Sequence, residues 1–248
     1  MKRVLKIFLK YYLKVVTKLA LFVHRPTVIA VAGSTNKNFT KREIKKRLQD
    51  AGLKVRANPK NFNTEIGLPL AILDLQSGYN EYQDWLPALF TAPLRIFQRN
   101  FPDHLVLGLG TSDEGDMKYL LSIVKPDISV ITEITQRYKE GFSDMDNLVQ
   151  EYRTLADRTR SGGLLILNAD NYRVKDIGKG VGNKKVIYFG SNGNADIRIT
   201  KAEKNETGQR LVFRYGEKEE VEQINRFGRH HLHAFLIGFI IKKELDKK

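Results

Sequence analysis

Residues 27–48 read TVIAVAGSTNKNFTKREIKKRL, and the fold turns on how that stretch is read. Thr27 to Ala32 is a short β-branched and apolar run, which predicts a buried strand. From Thr40 onward Ile44 and Leu48 recur among charges, which predicts a helix. Between them lies Gly33-Ser34-Thr35-Asn36-Lys37-Asn38. A strand, a tight loop, a helix start and a lysine at the tip make the layout of a phosphate-binding loop. Its amides and the helix N-terminus attract anionic oxygens. The usual pattern closes on Gly-Lys-Ser/Thr, whereas this one closes on Asn36-Lys37-Asn38. Asn is the residue that best tolerates the positive φ of the glycine position. The Asn38 amide differs in reach from the hydroxyl that would meet Mg2+. On the motif alone, an ordinary strand–turn–helix with an exposed lysine fits as well.

The 248 residues suffice for one large α/β domain or two small ones. The absence of cysteine excludes disulfides and thiolate metal sites and fits a reducing compartment. Net charge is +14, from 42 basic and 28 acidic residues. Residues 1–25 hold Lys2, Arg3, Lys6, Lys10, Lys14, Lys18 and Arg25 and no acid. Such a balance suits an anionic partner: membrane lipid, nucleic acid or a phosphorylated small molecule.

Residues 2–23 predict a helix. Lysines 6, 10, 14 and 18 stack along one stripe, and Leu5, Phe8, Leu9, Tyr12, Leu13, Val16, Leu19, Leu21 and Phe22 cover the remainder. No uncharged run approaches the ~20 residues of a spanning helix, and the lysines interrupt any signal-peptide core. Two readings stay open: a basic amphipathic helix lying on an anionic membrane surface, or a helix whose wide apolar face packs on the domain. His24-Arg25-Pro26 ends it.

Farther on, Ala51 to Val55 predicts a helix stop and a second strand. Asn61, Asn63 and Thr64 form a polar loop before a helical Glu65–Leu73. Tyr79, Tyr82, Trp85, Phe90, Phe97 and Phe101 fall at helical spacing and are expected in the core. Further strands are expected at 104–110, 127–132, 164–168 and 184–189, with helices at 117–124 and 148–160. This alternation implies an α/β fold, a P-loop-type doubly wound and mostly parallel sheet. Ligands in such sheets bind at the carboxyl ends of strands, gathering residues 33–38, 110–116, 133–142 and 168–171. Beyond residue 190 the pattern alternates, predicting a small antiparallel β subdomain over 190–227 before a last helix, 228–245. The expected organisation is a helix over 1–25 and one domain over 26–248.

The order of several motifs carries a resemblance. Asn61-Phe-Asn-Thr-Glu-Ile-Gly-Leu-Pro69 comes first, then Leu109-Gly110-Thr-Ser, Gly115-Asp116 and Val124-Lys-Pro-Asp127. Glu140-Gly141-Phe142, Leu167-Asn168-Ala169-Asp170 and Gly228-Arg229-His230 follow. Together these resemble the central ATPase domain of the Mur ligase family, in the branch that adds D-alanyl-D-alanine to a UDP-linked muramoyl tripeptide. The resemblance implies a three-domain ATP-dependent ligase working through an acyl phosphate, and here neither flanking domain is expected. It implies nucleotide contacts from Gly33, Ser34, Thr35, Asn36, Lys37, Asn38, Asn168, Asp170 and, on the adenine side, His231. It implies substrate contacts from Asn61, Asn63, Thr64 and Glu65.

The chain departs from the family at the metal. The metal-binding Glu position holds Gly108, the metal-binding His position holds Tyr138, and the carbamylated lysine aligns near Tyr152, with no lysine beside it. Asn38 and Glu133 remain as metal candidates, with Asp113 or Glu114 as further carboxylates. ATP is the implied cofactor and Mg2+ is disfavoured. The expectation is a non-catalytic cytoplasmic protein, peripheral on the inner face of the plasma membrane. It would bind a phosphorylated ligand, a UDP-linked precursor or a cell-wall synthesis protein. The alternative is an active ATP-dependent amide ligase with a rearranged metal site. Nucleic acid is less favoured, because the aromatics are not interleaved with basic residues on a strand face. His230, His231 and His233 do not converge on a helix and read as a helix-start cluster rather than a metal site.

Overall fold

The computed structural model describes residues 2–78, 85–136 and 141–247. Tyr79, Tyr82, Tyr138 and Glu140 lie outside the described residues. Strands apolar at nearly every position need cover on both faces, which is the condition of a parallel sheet between two helical layers. Strand β1 (Thr27–Ala32) is of this kind. Val28, Ala30 and Ala32 enter one core, Ile29 and Val31 the other. The further strands are β2 (Val55–Ala57), β3 (His104–Gly108), β4 (Ile128–Ile131), β5 (Leu164–Asn168), β6 (Lys185–Gly190), β7 (Ile197–Asn205), β8 (Gly208–Tyr215) and β9 (Lys218–Ile224). They form a 9-stranded sheet in the order β2-β3-β1-β4-β5-β6-β7-β8-β9. Pairing is parallel from β2 to β7 and antiparallel through β8 and β9. The antiparallel strands continue the same sheet, because Phe189 and Gly190 of β6 pair with Ile197 and Arg198 of β7.

Helices α2 (Lys37–Asp50) and α8 (Arg229–Leu245) cover one face through Ile44, Leu48, Leu232 and Leu236. The other face is covered by α1 (Lys2–His24), α3 (Gly67–Leu73), α4 (Leu86–Thr91), α5 (Asp116–Leu120), α6 (Met145–Arg158) and α7 (Tyr172–Ile177). Helix α2 starts at Lys37, a turn earlier than the Thr40 expected, because the Thr40 amide already reaches the Asn36 carbonyl. Helix α7 was not anticipated. Asn171 caps it, its side chain accepting from the Val174 amide.

The aromatic segment departs from expectation. Phe90 and Phe97 are 76% and 77% exposed rather than in the core, while Phe101 is buried and stacks on His24. Pro87 and Pro93 cut the segment into α4 and a short 3₁₀ helix, Pro93–Phe97. Elements of one to two turns seat few residues, and Ala88 and Ala92 take the buried places. On α1 the packing reading holds for one face, where Leu9, Leu13, Val16 and Ala20 are buried. The opposite face leaves Phe8, Tyr11, Val15 and Phe22 exposed. No helix among the described residues is long and apolar enough to cross a membrane.

Candidate functional site

The loop after β1 is pinned to the end of β4. Gly33 has φ 138°, and a Cβ there would lie 2.1 Å from Thr132 Oγ1, so no side chain fits. The Ser34 amide donates to the Glu133 carbonyl at 2.7 Å, and Thr132 Oγ1 donates to the Thr35 carbonyl at 2.6 Å. Thr35 Oγ1 donates to Glu133 Oε2 at 2.5 Å, and the Asn36 amide group lies 3.5 Å from the same oxygen. Asn36 takes the left-handed conformation, φ 66°, as the sequence reading required of it. The chain then enters α2 directly, and the Lys37 ammonium folds back onto the Gly33 carbonyl across the loop.

Beside this loop lies a cleft of ≈ 350 Å³, lined by the whole run Ser34–Phe39, by Lys41, Lys60, Asn61 and Asn63, and by residues 108 and 110–112 of the β3 end. Its inner wall was not legible in the sequence. Lys41, one turn after Lys37, is 5% exposed, and its ammonium donates to the Asn58 carbonyl at 2.7 Å and to Asn58 Oδ1 at 2.9 Å. Asn58 also grips β3: Oδ1 accepts from the Gly108 amide at 2.7 Å, and Nδ2 donates to the carbonyls of Gly108 and Phe62. Gly108 makes the arrangement fit, because a Cβ there would meet Lys41 Cδ at 2.9 Å and Nζ at 3.2 Å. The position whose carboxylate the resemblance implied is therefore a hollow filled by a lysine stem. The signal for Lys41 was its i, i+4 spacing from Lys37, which puts both on one helix face.

The remaining candidates divide. Asn61 and Asn63 reach the cleft, but Thr64 and Glu65 face another hollow, where Glu65 pairs with Lys6 at 3.5 Å. Asn168 donates to the Thr132 carbonyl and accepts from the Asp170 amide, so it serves the strand end. Asp170 accepts from the Ser191 and Asn192 amides and pairs with Arg229 at 2.7 Å. The His233 imidazole is 3.5 Å away, an electrostatic contact rather than a well-formed hydrogen bond. Burial pushes the Asp170 carboxyl up, but these donors and the Arg229 charge outweigh it and hold it well below the usual carboxylate range. His231 packs edge-on against Phe39, which lines the cleft, so it stands behind the rim.

A divalent ion of the magnesium type needs an octahedral shell of hard oxygens, usually with carboxylates among them. Among the described residues the cleft lining holds no carboxylate, and no three His, Asp or Glu side chains converge elsewhere. Asn38 lines the cleft, whereas Glu133 is turned to Thr35 and Asn36 and does not. Glu114 is held by Ser143 and Asn147. The Lys41 ammonium against Gly108 repels a second cation. This donor set does not fit the ion.

Burial lowers Lys37 and Lys41 to about 8, and the Lys37 charge adds to the effect on Lys41. Unfolded lysines titrate near ~10.4, so between about 8 and 10 the unfolded chain holds more protons and folding stability rises with pH. Affinity for an anion needs the ammonium forms and falls over the same window. Calorimetric titration with inorganic pyrophosphate at pH 7 and pH 9.5 is expected to show the loss. Equal affinities would mean that neither lysine meets the anion.

A family model described as the Mur ligase middle domain matches residues 87–241. The UDP-N-acetylmuramoyl-tripeptide--D-alanyl-D-alanine ligase of Escherichia coli (strain K12) is 23% identical over 174 residues, 70% of this chain and 33% of that protein. The enzyme of the same name from Borreliella burgdorferi is 27% identical over 165 residues, 65% of this chain and 30% of that one. Crystal structure I of MurF from Acinetobacter baumannii superposes with a TM-score of 0.77 at 16% identity, over 96% of this chain and 47% of that chain. MurF ligase from Thermotoga maritima in complex with ADP gives 0.71 at 20% identity, over 93% of this chain and 49% of that chain. At such identities the structures speak for the fold alone. The chain spans about a third of the length of these curated relatives.

Proposed function

Because the chain belongs to the Mur ligase family through its middle domain, we propose that its cleft binds the phosphoryl groups of a nucleotide or UDP-linked precursor without a divalent ion. In this reading it does not run the ligation itself. The observation that carries it is the lining of the cleft: Lys37, Lys41 and Lys60, amides and hydroxyls, and no carboxylate. The N-terminus of α2 adds its dipole to the same place. A relative solved with ADP and relatives named for UDP-linked substrates supply the ligand class. The basic helix α1 holds the protein against the anionic inner face of the membrane, where a cell-wall synthesis protein or a precursor is met.

Phosphoryl transfer depends almost wholly on positioning and on metal electrostatics, so a cleft that excludes the ion keeps binding and loses turnover. Titration with ADP and with a UDP-muramoyl peptide, each in Mg2+ and in EDTA, tests this. Affinities are expected to agree within about twofold between the two buffers. A tenfold gain in Mg2+, with phosphate release at the ~1 s⁻¹ or faster usual for enzymes, would instead favour the working ligase. That second reading requires Glu133 to leave Thr35 and turn to the cleft.

A further inference from the structure

We propose that the exposed faces of α1 and of the α4–3₁₀ segment form one surface that inserts into the interface of an anionic lipid bilayer. The proposal rests on the reading of α1 as a membrane contact and adds a second, sequence-distant half to it.

The two halves adjoin. Helix α1 lies along the 3₁₀ helix Pro93–Phe97, and the Tyr12 hydroxyl donates to the Leu89 carbonyl of α4 at 2.6 Å. Phe8, Val15 and Phe22 stand exposed on α1, at a spacing of seven residues that keeps them on one face. Phe90, Leu94 and Phe97 stand exposed on the neighbouring segment. Large apolar side chains crowded on two touching elements make a patch rather than scattered surface residues, and such patches mark interaction sites.

The border of the patch selects the occupant. On the flank away from α4, Lys10 and Lys14 lie over the Tyr119 ring of α5 at 3.8 and 5.0 Å, and Lys18 is exposed. On the α4 side stand Arg95, half-buried and donating to the Asp74 carbonyl at 3.3 Å, and the exposed Arg99. Residues 1–25 and 85–102 contain no Asp or Glu. The recorded acid beside the α1 stripe is Glu65, which pairs with Lys6 near the helix start. An apolar centre with a mostly basic border, in which Glu65 and Asp74 are the acids among the described residues, matches a plane of anionic headgroups over acyl chains. A second copy would bring two lysine stripes face to face, which opposes self-pairing. Both elements are too short or too charged to span, so the contact is with the interface only.

The test is sedimentation of the full chain with phosphatidylcholine vesicles, with and without phosphatidylglycerol. The wild type is expected to partition at least about tenfold more strongly onto the anionic vesicles. Two variant sets follow: Val15→Ser with Phe22→Ser, and Phe90→Ser with Leu94→Ser and Phe97→Ser. The replaced side chains are exposed, so unchanged thermal midpoints are expected. Each set should weaken partition about tenfold or more. Loss with the α1 set but wild-type binding by the α4 set overturns this inference and leaves α1 as the membrane contact. No partition by the wild type overturns both. A concentration-dependent dimer that the α4 set abolishes, without vesicle binding, makes the patch an interface between copies and also overturns it.

Discussion

Asn58→Leu is expected to destabilise the protein by about 3–5 kcal/mol, because several buried polar groups lose their partner at about 1–3 kcal/mol each. Asn58 is 4% exposed and holds three elements at once. Its Oδ1 accepts from Lys41 Nζ and the Gly108 amide, and its Nδ2 serves the carbonyls of Gly108 and Phe62. Leucine is close in volume and supplies none of these bonds. The Gly108 amide and carbonyl would be left buried without their partner, each a cost of about 1–3 kcal/mol. Lys41 would keep only the Asn58 carbonyl. For a domain of this size the thermal midpoint should fall by roughly 10 °C. Asn58→Asp gives a second measure, because it keeps both acceptors and adds a negative charge beside Lys41. It is expected to recover part of the loss. A midpoint within two degrees of wild type for Asn58→Leu would show that Gly108 and Lys41 find other partners.

Lys37→Ala is expected to cut the affinity for ADP in EDTA by about 10- to 100-fold, since hydrogen bonds to charged groups are worth about 1.5–3 kcal/mol. The ammonium now closes on the Gly33 carbonyl, the place from which it can turn to an anionic oxygen. In a cleft lined by lysines and no carboxylate, its loss should weigh more than in a metal-assisted site. Stability should move in a different way. Burial disfavours the charged form of Lys37, so at pH 7 its removal relieves that penalty while losing the Gly33 bond; the two offset each other in the denaturation midpoint, and part of the rise expected above pH 8 is abolished. Lys41→Met should weaken ADP comparably but also unfold more easily, because it strips the Asn58 carbonyl of its donor. Calorimetry and urea titration on the same samples separate the two effects. Less than a threefold change in ADP affinity for both variants would place the phosphoryl group elsewhere.

The loop at Gly33–Asn38 was legible because its signals are local: an apolar strand, a glycine, an asparagine able to take positive φ, a lysine. The parallel sheet was legible from alternation of apolar runs with helical spacing. The antiparallel strands near the C-terminus showed their period of two. The exposed aromatics were not legible, because Phe90 and Phe97 look like core residues until the two prolines limit each helix to a turn or so. Thr64 and Glu65 were read with Asn61 and Asn63 as one loop, yet Asn63 lines the cleft, Thr64 and Glu65 line the second hollow, and Asn61 borders both.

By itself the sequence determined the order of the elements, the kind of sheet and the place of the glycine–asparagine–lysine loop, since periodicity and backbone preference act between near neighbours. Only the tertiary structure decided that Lys41, Asn58 and Gly108 meet across α2, the polar loop and β3. Nothing in a lone glycine announces which side chain will fill the space it leaves. That depends on packing between residues as far apart in the chain as Lys41 and Gly108, and it is this contact that sets a lysine, and no carboxylate, in the inner wall of the cleft.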